Sequence, residues 1–73
     1  MTPDEQLREL IHRSAHDLRT PLTAIMASVE MLDDEIDDPD LKRLSSNALA
    51  ASKRMAAMIC AMVAEGDAVL RSP

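Results

Sequence analysis

The chain is predicted to be all-α, an antiparallel two-helix hairpin that pairs with a copy of itself. Three observations predict this. Phe, Tyr and Trp are absent, and the apolar content comes from Leu, Ile, Val, Ala and six Met. Ala, Leu and Met are good helix formers, whereas the β-branched and aromatic residues that favour strands are scarce. Apolar residues recur at steps of three and four along two long stretches, the spacing of one face of a helix. The third observation is size: 73 residues allow one small domain. Two helices have one apolar face each, and two such faces meeting leave much of both open to water. Small chains without disulfides or metals usually resolve this by oligomerising.

The first helix is expected over about residues 3–36. Thr2-Pro3-Asp4-Glu5 reads as its start, with Thr2 as N-cap, Pro3 in the first helical position and Glu5 three residues after the cap. Its seam is Leu7, Ile11, Ser14, Leu18, Leu22, Ile25, Val29, Leu32 and Ile36, with Ser14 the one polar member. At about 100° per residue the seam clusters roughly 160° to 240° from His16, so His16 is expected to point away from the core. His12, Thr20, Thr23, Ala27 and Met31 fall on the His16 side. Pro21 lies inside the pattern and should bend the helix or open its hydrogen bonds locally. The alternative, a helix end at Thr20, has against it that the apolar period resumes at once.

Asp33-Asp34-Glu35-Ile36-Asp37-Asp38-Pro39-Asp40 ends this helix, because acids are unfavourable at a helix C-terminus and favourable at the next N-terminus. The turn is placed at about 37–39, with Asp38 or Pro39 starting the second helix. A calcium loop is the alternative, but the run lacks the central glycine and terminal glutamate of an EF-hand. The second helix is expected over about 40–66 or beyond. Its seam is Leu41, Leu44, Ala48, Ala51, Met55, Met58 and Met62, widened by Ile59 and Val63. The methionines read as adaptable core, with a promiscuous binding groove as the alternative. Gly66 is a plausible stop, although Ala68-Val69-Leu70 would prolong the helix. Folding at the acidic turn lays Met58–Met62 beside His16, with Lys53 and Arg54 level with Leu22 and Thr23.

A formal net charge of −5 argues against nucleic acid and against contact with an anionic membrane surface. The single Cys60 cannot form an internal disulfide and suits a reducing cytoplasm. The polar N-terminus is not a signal peptide, and no apolar run is long enough to span a bilayer. If a parent protein is membrane-anchored, its spanning segments lie elsewhere.

The chemistry concentrates in His16-Asp17-Leu18-Arg19-Thr20-Pro21-Leu22. An imidazole is a good nucleophile near neutral pH, and an adjacent carboxylate such as Asp17 can orient it and accept its proton. Arg19 is placed to balance phosphate charge. Thr20 lies one turn on, where its hydroxyl can position a water. A competing metal reading joins His12 and His16 at i, i+4, but no third ligand is placed, and the Glu of His-Glu-x-x-His is missing.

This heptapeptide resembles the H-box of bacterial two-component sensor histidine kinases at all seven positions, and Thr23-Ala24-Ile25 continues the likeness. The resemblance is to their dimerisation and histidine-phosphotransfer (HisKA) domain. It implies a hairpin that homodimerises into a four-helix bundle. It implies His16 as the phosphoacceptor, through Nε2, with Asp17 assisting transfer from ATP. It implies Thr20 orienting the water that dephosphorylates the response regulator, and Arg19 and Pro21 in support. Regulator docking in the family maps onto Thr23, Ala27, Ser28 and Met31, and more loosely onto Lys53 and Arg54. The implied partners are a second copy, a response-regulator receiver domain and an ATP-binding catalytic domain. The chain departs from the family pattern at Met58-Ile59-Cys60-Ala61-Met62-Val63, where leucines and acids are common.

One glycine cannot build Gly-rich nucleotide loops, so this chain alone is expected to bind no cofactor and not to autophosphorylate. ATP and Mg²⁺ would sit on the separate catalytic domain, and a further Mg²⁺ on the regulator. Two other readings remain: a free-standing histidine phosphotransfer protein, or an inert dimerising scaffold with a vestigial H-box.

Overall fold

The computed structural model describes residues 2–71, and the expected helical hairpin is what forms. Helix α1 runs Pro3–Glu35 and helix α2 runs Pro39–Arg71. They lie side by side in a rod of 55 × 17 × 11 Å. Thr2 caps α1, accepting a hydrogen bond at its Oγ1 from the Glu5 amide at 3.2 Å. Asp38 caps α2: its Oδ1 accepts from the amides of Asp40 at 2.9 Å and Leu41 at 3.1 Å. Helix α1 continues unbroken through Pro21, so no helix end occurs at Thr20. Proline brings no N–H, which leaves the Asp17 carbonyl without its helical donor.

The helices meet at Ala15, Leu22 and Ile59, with Met26, Ala56 and Val63 packed around them. Three contacts set an antiparallel register: Ile11 against Gly66, Arg19 against Cys60, and Asp33 against Ser45. His16 is therefore level with Met62 and Val63. Lys53 and Arg54 are level with Ile25 and Ala24, about two residues nearer the connection than the expected Leu22–Thr23.

The seam of α2 is corrected by the structure. The stripe facing α1 is Ser45, Leu49, Ser52, Ala56, Ile59, Val63 and Gly66, all buried or half-buried. Ile59 and Val63 of the predicted seam belong to it, whereas the other predicted residues lie about 100° around the helix and are open in the single chain, with Leu44 62 % and Met58 65 % exposed. On α1, Leu22, Ile11 and Val29 of the predicted seam turn inward, while Leu18 and Ile25 stay exposed. Both stripes of α2 have heptad spacing, but small residues let two backbones approach closely, and the hairpin uses the stripe that holds more of them: Ser45, Ser52, Ala56 and Gly66 against Ala48 and Ala51.

The helices are close at Gly66, where a Cβ would stand 2.9 Å from Ile11 Cδ1. It does not end α2, which continues to Arg71. Since that methyl is the tip of a flexible side chain, Gly66→Ala is expected to be neutral or stabilising by up to about 1 kcal/mol through helix propensity. Gly66→Leu is expected to cost about 1–3 kcal/mol by overpacking. Thermal melts of the two variants check this.

Near the connection, Asp33 of α1 accepts hydrogen bonds from the Ser45 hydroxyl, and Lys42 Nζ pairs with its other carboxylate oxygen at 3.2 Å. The Ser45 hydroxyl first, and the Lys42 ammonium second, hold the Asp33 carboxyl below its ordinary value. A depressed folded value means stability that is present above the unfolded value and lost as pH falls through the folded one. Acidification below about pH 4 is therefore expected to lower the thermal midpoint. Asp33→Asn should start lower at neutral pH and lose less on acidification; parallel curves for the two proteins would contradict the assignment.

No helix among the described residues is long and apolar enough to cross a membrane.

Candidate functional site

The direction of His16 follows from its neighbour. Ala15 is only 2 % exposed, packed in the hairpin core. A step of about 100° then carries His16 out to solvent, on the flank of α1. Leu22, 5 % exposed, anchors the helix on the other side of the H-box. Two buried residues seven apart thus hold the rotation of α1 about its axis, and the imidazole stays outside.

Asp17 is exposed beside it. Thr20 is exposed one turn on, and its Oγ1 donates to the His16 carbonyl at 3.2 Å. This bond ties the hydroxyl to the turn that carries the histidine. Arg19 points across to α2, where its Nη2 donates to Cys60 Sγ at 3.1 Å. Pro21 is exposed at the foot of the H-box.

Below the histidine, Thr23 and Ala27 continue on the same side of α1, both exposed. Met31, 71 % exposed, lies about 60° around. Ser28 is turned about 120° from His16, and its hydroxyl donates to the Ala24 carbonyl at 2.9 Å. On α2, Lys53 lies on the same flank as Cys60, one heptad away, whereas Arg54 is rotated about 120° from that flank. The hairpin therefore groups His16, Thr20, Thr23, Ala27 and Lys53 along one side. Ser28 and Arg54 lie off it.

Two participants escaped the sequence reading. Asp67 of α2 accepts from His12, whose Nε2 stands 2.8 Å from Oδ1, and also faces Arg8 Nε at 3.8 Å. Arg8 Nη2 in addition donates to the Leu70 carbonyl at 3.1 Å. His12 is thus drawn to α2 and away from His16. The other is Cys60, which sequence reading treated only as a redox marker. Lys53, Cys60 and Asp67 recur at seven-residue intervals, and that heptad line along the flank of α2 was the available signal. No group of three or more His, Cys, Asp or Glu side chains among the described residues is arranged to hold a metal ion.

Chemically, the site is an exposed nucleophile with a carboxylate beside it, a hydroxyl one turn away and small residues along the approach. It has no walls of its own, since His16, Asp17 and Thr20 all stand exposed. A family model described as the His Kinase A (phospho-acceptor) domain matches residues 6–63. No curated protein and no solved structure matches the chain.

Proposed function

Because the chain belongs to the His Kinase A (phospho-acceptor) domain family, we propose that His16 takes the γ-phosphoryl group of ATP and passes it to a response-regulator aspartate. The observation that carries this reading is the outward imidazole of His16, held by buried Ala15 and Leu22 within the matched region. ATP and its Mg²⁺ are presented by a separate catalytic domain, since the open site offers no nucleotide cradle. The imidazole nitrogen forms a bond to the γ-phosphorus, the bond to the β,γ-bridging oxygen breaks, and ADP leaves. Asp17 orients the ring and accepts its proton. In the second transfer the regulator's aspartate attacks the phosphorus, the N–P bond to His16 breaks, and the imidazole leaves and regains its proton, while a Mg²⁺ on the regulator would offset the charge. The receiver docks along Thr23, Ala27 and Lys53. For dephosphorylation, Thr20 releases the His16 carbonyl and orients the attacking water.

The reading includes a homodimer, joined through the open stripes of Leu18 and Ile25 on α1 and Met55, Met58 and Met62 on α2. It places the domain in the cytoplasm, where ATP is supplied.

The test is phosphoryl transfer. The chain is incubated with labelled ATP and the catalytic domain of its parent kinase, beside His16→Ala. The expected product is acid-labile and alkali-stable, as a phosphohistidine is, and falls to background in the variant. A folded dimer left unlabelled by a catalytic domain active on another substrate would favour the inert scaffold.

A further inference from the structure

Arg19 is the one charged residue of the H-box that the hairpin ties to α2, and its partner there is a weak one. Its Nη2 donates to the Cys60 thiol at 3.1 Å, on an exposed surface. Sulfur is a poor acceptor for a guanidinium that can bind two oxygens at once. Arg19 stands three residues beyond His16, and i, i+3 side chains are neighbours on a helix. Helical side chains lean towards the N-terminus, so Arg19 leans over the turn that carries His16. Arg13, three residues before His16, leans the other way.

We propose that Arg19 changes partners with the phosphorylation state of His16: it rests on Cys60 when the imidazole is free, and moves to the phosphoryl group when one is attached. The inference rests on the proposed phosphoacceptor role and adds what the modification does to the hairpin. A phosphoryl group brings about −1.5 to −2 charges and three strong acceptor oxygens. Charge-assisted bonds to such oxygens are roughly twice as strong as neutral ones. The exchange needs no backbone movement, since a guanidinium on its long stem covers both positions. It removes a tie between α1 and α2 at the level of the site and leaves the Cys60 thiol without its donor. No covalent step is involved beyond the phosphorylation itself.

The test avoids the kinase. Phosphoramidate transfers a phosphoryl group directly to exposed histidines, so the ¹⁵N-labelled chain is phosphorylated chemically, and the phosphate is mapped by mass spectrometry. The wild type, Arg19→Gln, Cys60→Ala and Arg13→Gln are compared, with His16→Ala as control for modification at His12. Two signals are followed: the Arg19 Nε–H resonance, and the ³¹P shift of phospho-His16 against pH. Cys60→Ala is expected to move the Arg19 resonance in the free chain and to leave it unmoved in the phosphorylated one. Arg19→Gln should make the phosphoryl group a two- to tenfold weaker acid, and Arg13→Gln should not. A Cys60→Ala effect of equal size in both states, or a ³¹P titration indifferent to Arg19, would overturn the exchange alone. Failure of phosphoramidate to label His16 in the folded chain would overturn it together with the accessibility on which the phosphoacceptor reading depends.

Discussion

Replacing Ile25 by aspartate is expected to turn a micromolar dimer into a monomer that has lost most of its helix. Ile25 is 53 % exposed in the single chain, in the middle of the open stripe of α1. The core within one hairpin is Ala15, Leu22 and Ile59, with three partly buried neighbours. Such a core is far too small to offset the conformational entropy of two long helices. The proposed pairing supplies the missing stabilisation by covering Leu18, Leu44, Met55 and Met58, each more than half exposed in the single chain. Burying a side chain of this kind contributes about 1.5–3 kcal/mol. A carboxylate in the seam removes one such contribution per chain and adds a desolvation cost of several kcal/mol per ion. Two-fold pairing places it in both copies. An association weakened by even about 5 kcal/mol loses three to four orders of magnitude in affinity. Sedimentation velocity and circular dichroism check the result. Glu30→Gln, about 140° around α1 from Ile25, should remain a helical dimer. A monomeric wild type, or a dimeric Ile25→Asp, would refute the pairing face.

Asp17→Asn is expected to slow phosphoryl incorporation by about 10²–10⁴-fold, the range that a positioned acid–base group contributes. The nucleophile stays in place, because Asp17 is exposed and the substitution leaves the Ala15–Leu22 packing untouched. The amide still offers an oxygen to the ring but no longer accepts its proton. Single-turnover labelling with the parent's catalytic domain separates this from weaker docking: the maximal rate falls while half-saturation in that domain holds. A drop of less than about fivefold would remove Asp17 from the proton transfer.

The caps were readable because they are local chemistry: Thr2 and Asp38 each satisfy amides two or three residues away. The outward direction of His16 was readable from periodicity, which needs only the helix itself. What escaped was the choice between two stripes of equal period on α2. Hydropathy ranks Leu44, Met55 and Met58 above Ser45, Ser52 and Gly66, yet close approach of two backbones favours the small residues. Most of the predicted seam is open in the single chain, and the hairpin takes the other stripe. Register was the second gap. The connection is Ile36–Asp38, within a residue of the expected turn, yet Lys53 and Arg54 face residues nearer to it than counting from the turn gives, because the packing contacts and not the turn set the register. Asp67 with His12, and Cys60 with Arg19, are joined across 55 and 41 positions. No local signal pairs residues so far apart.

Pro21 has an effect on cooperativity. The vacant rung at the Asp17 carbonyl divides a 33-residue rod into two lengths that need not melt together. Both lengths are docked on α2, the first through Ala15 and the second through Leu22 and Met26. The junction between them, at Asp17–Pro21, is thus expected to open locally at a free-energy cost below that of global unfolding. In native-state hydrogen exchange, amides at 16–20 should exchange ahead of those at 24–28. His16 would then stand beside a junction that opens before the lengths on either side of it.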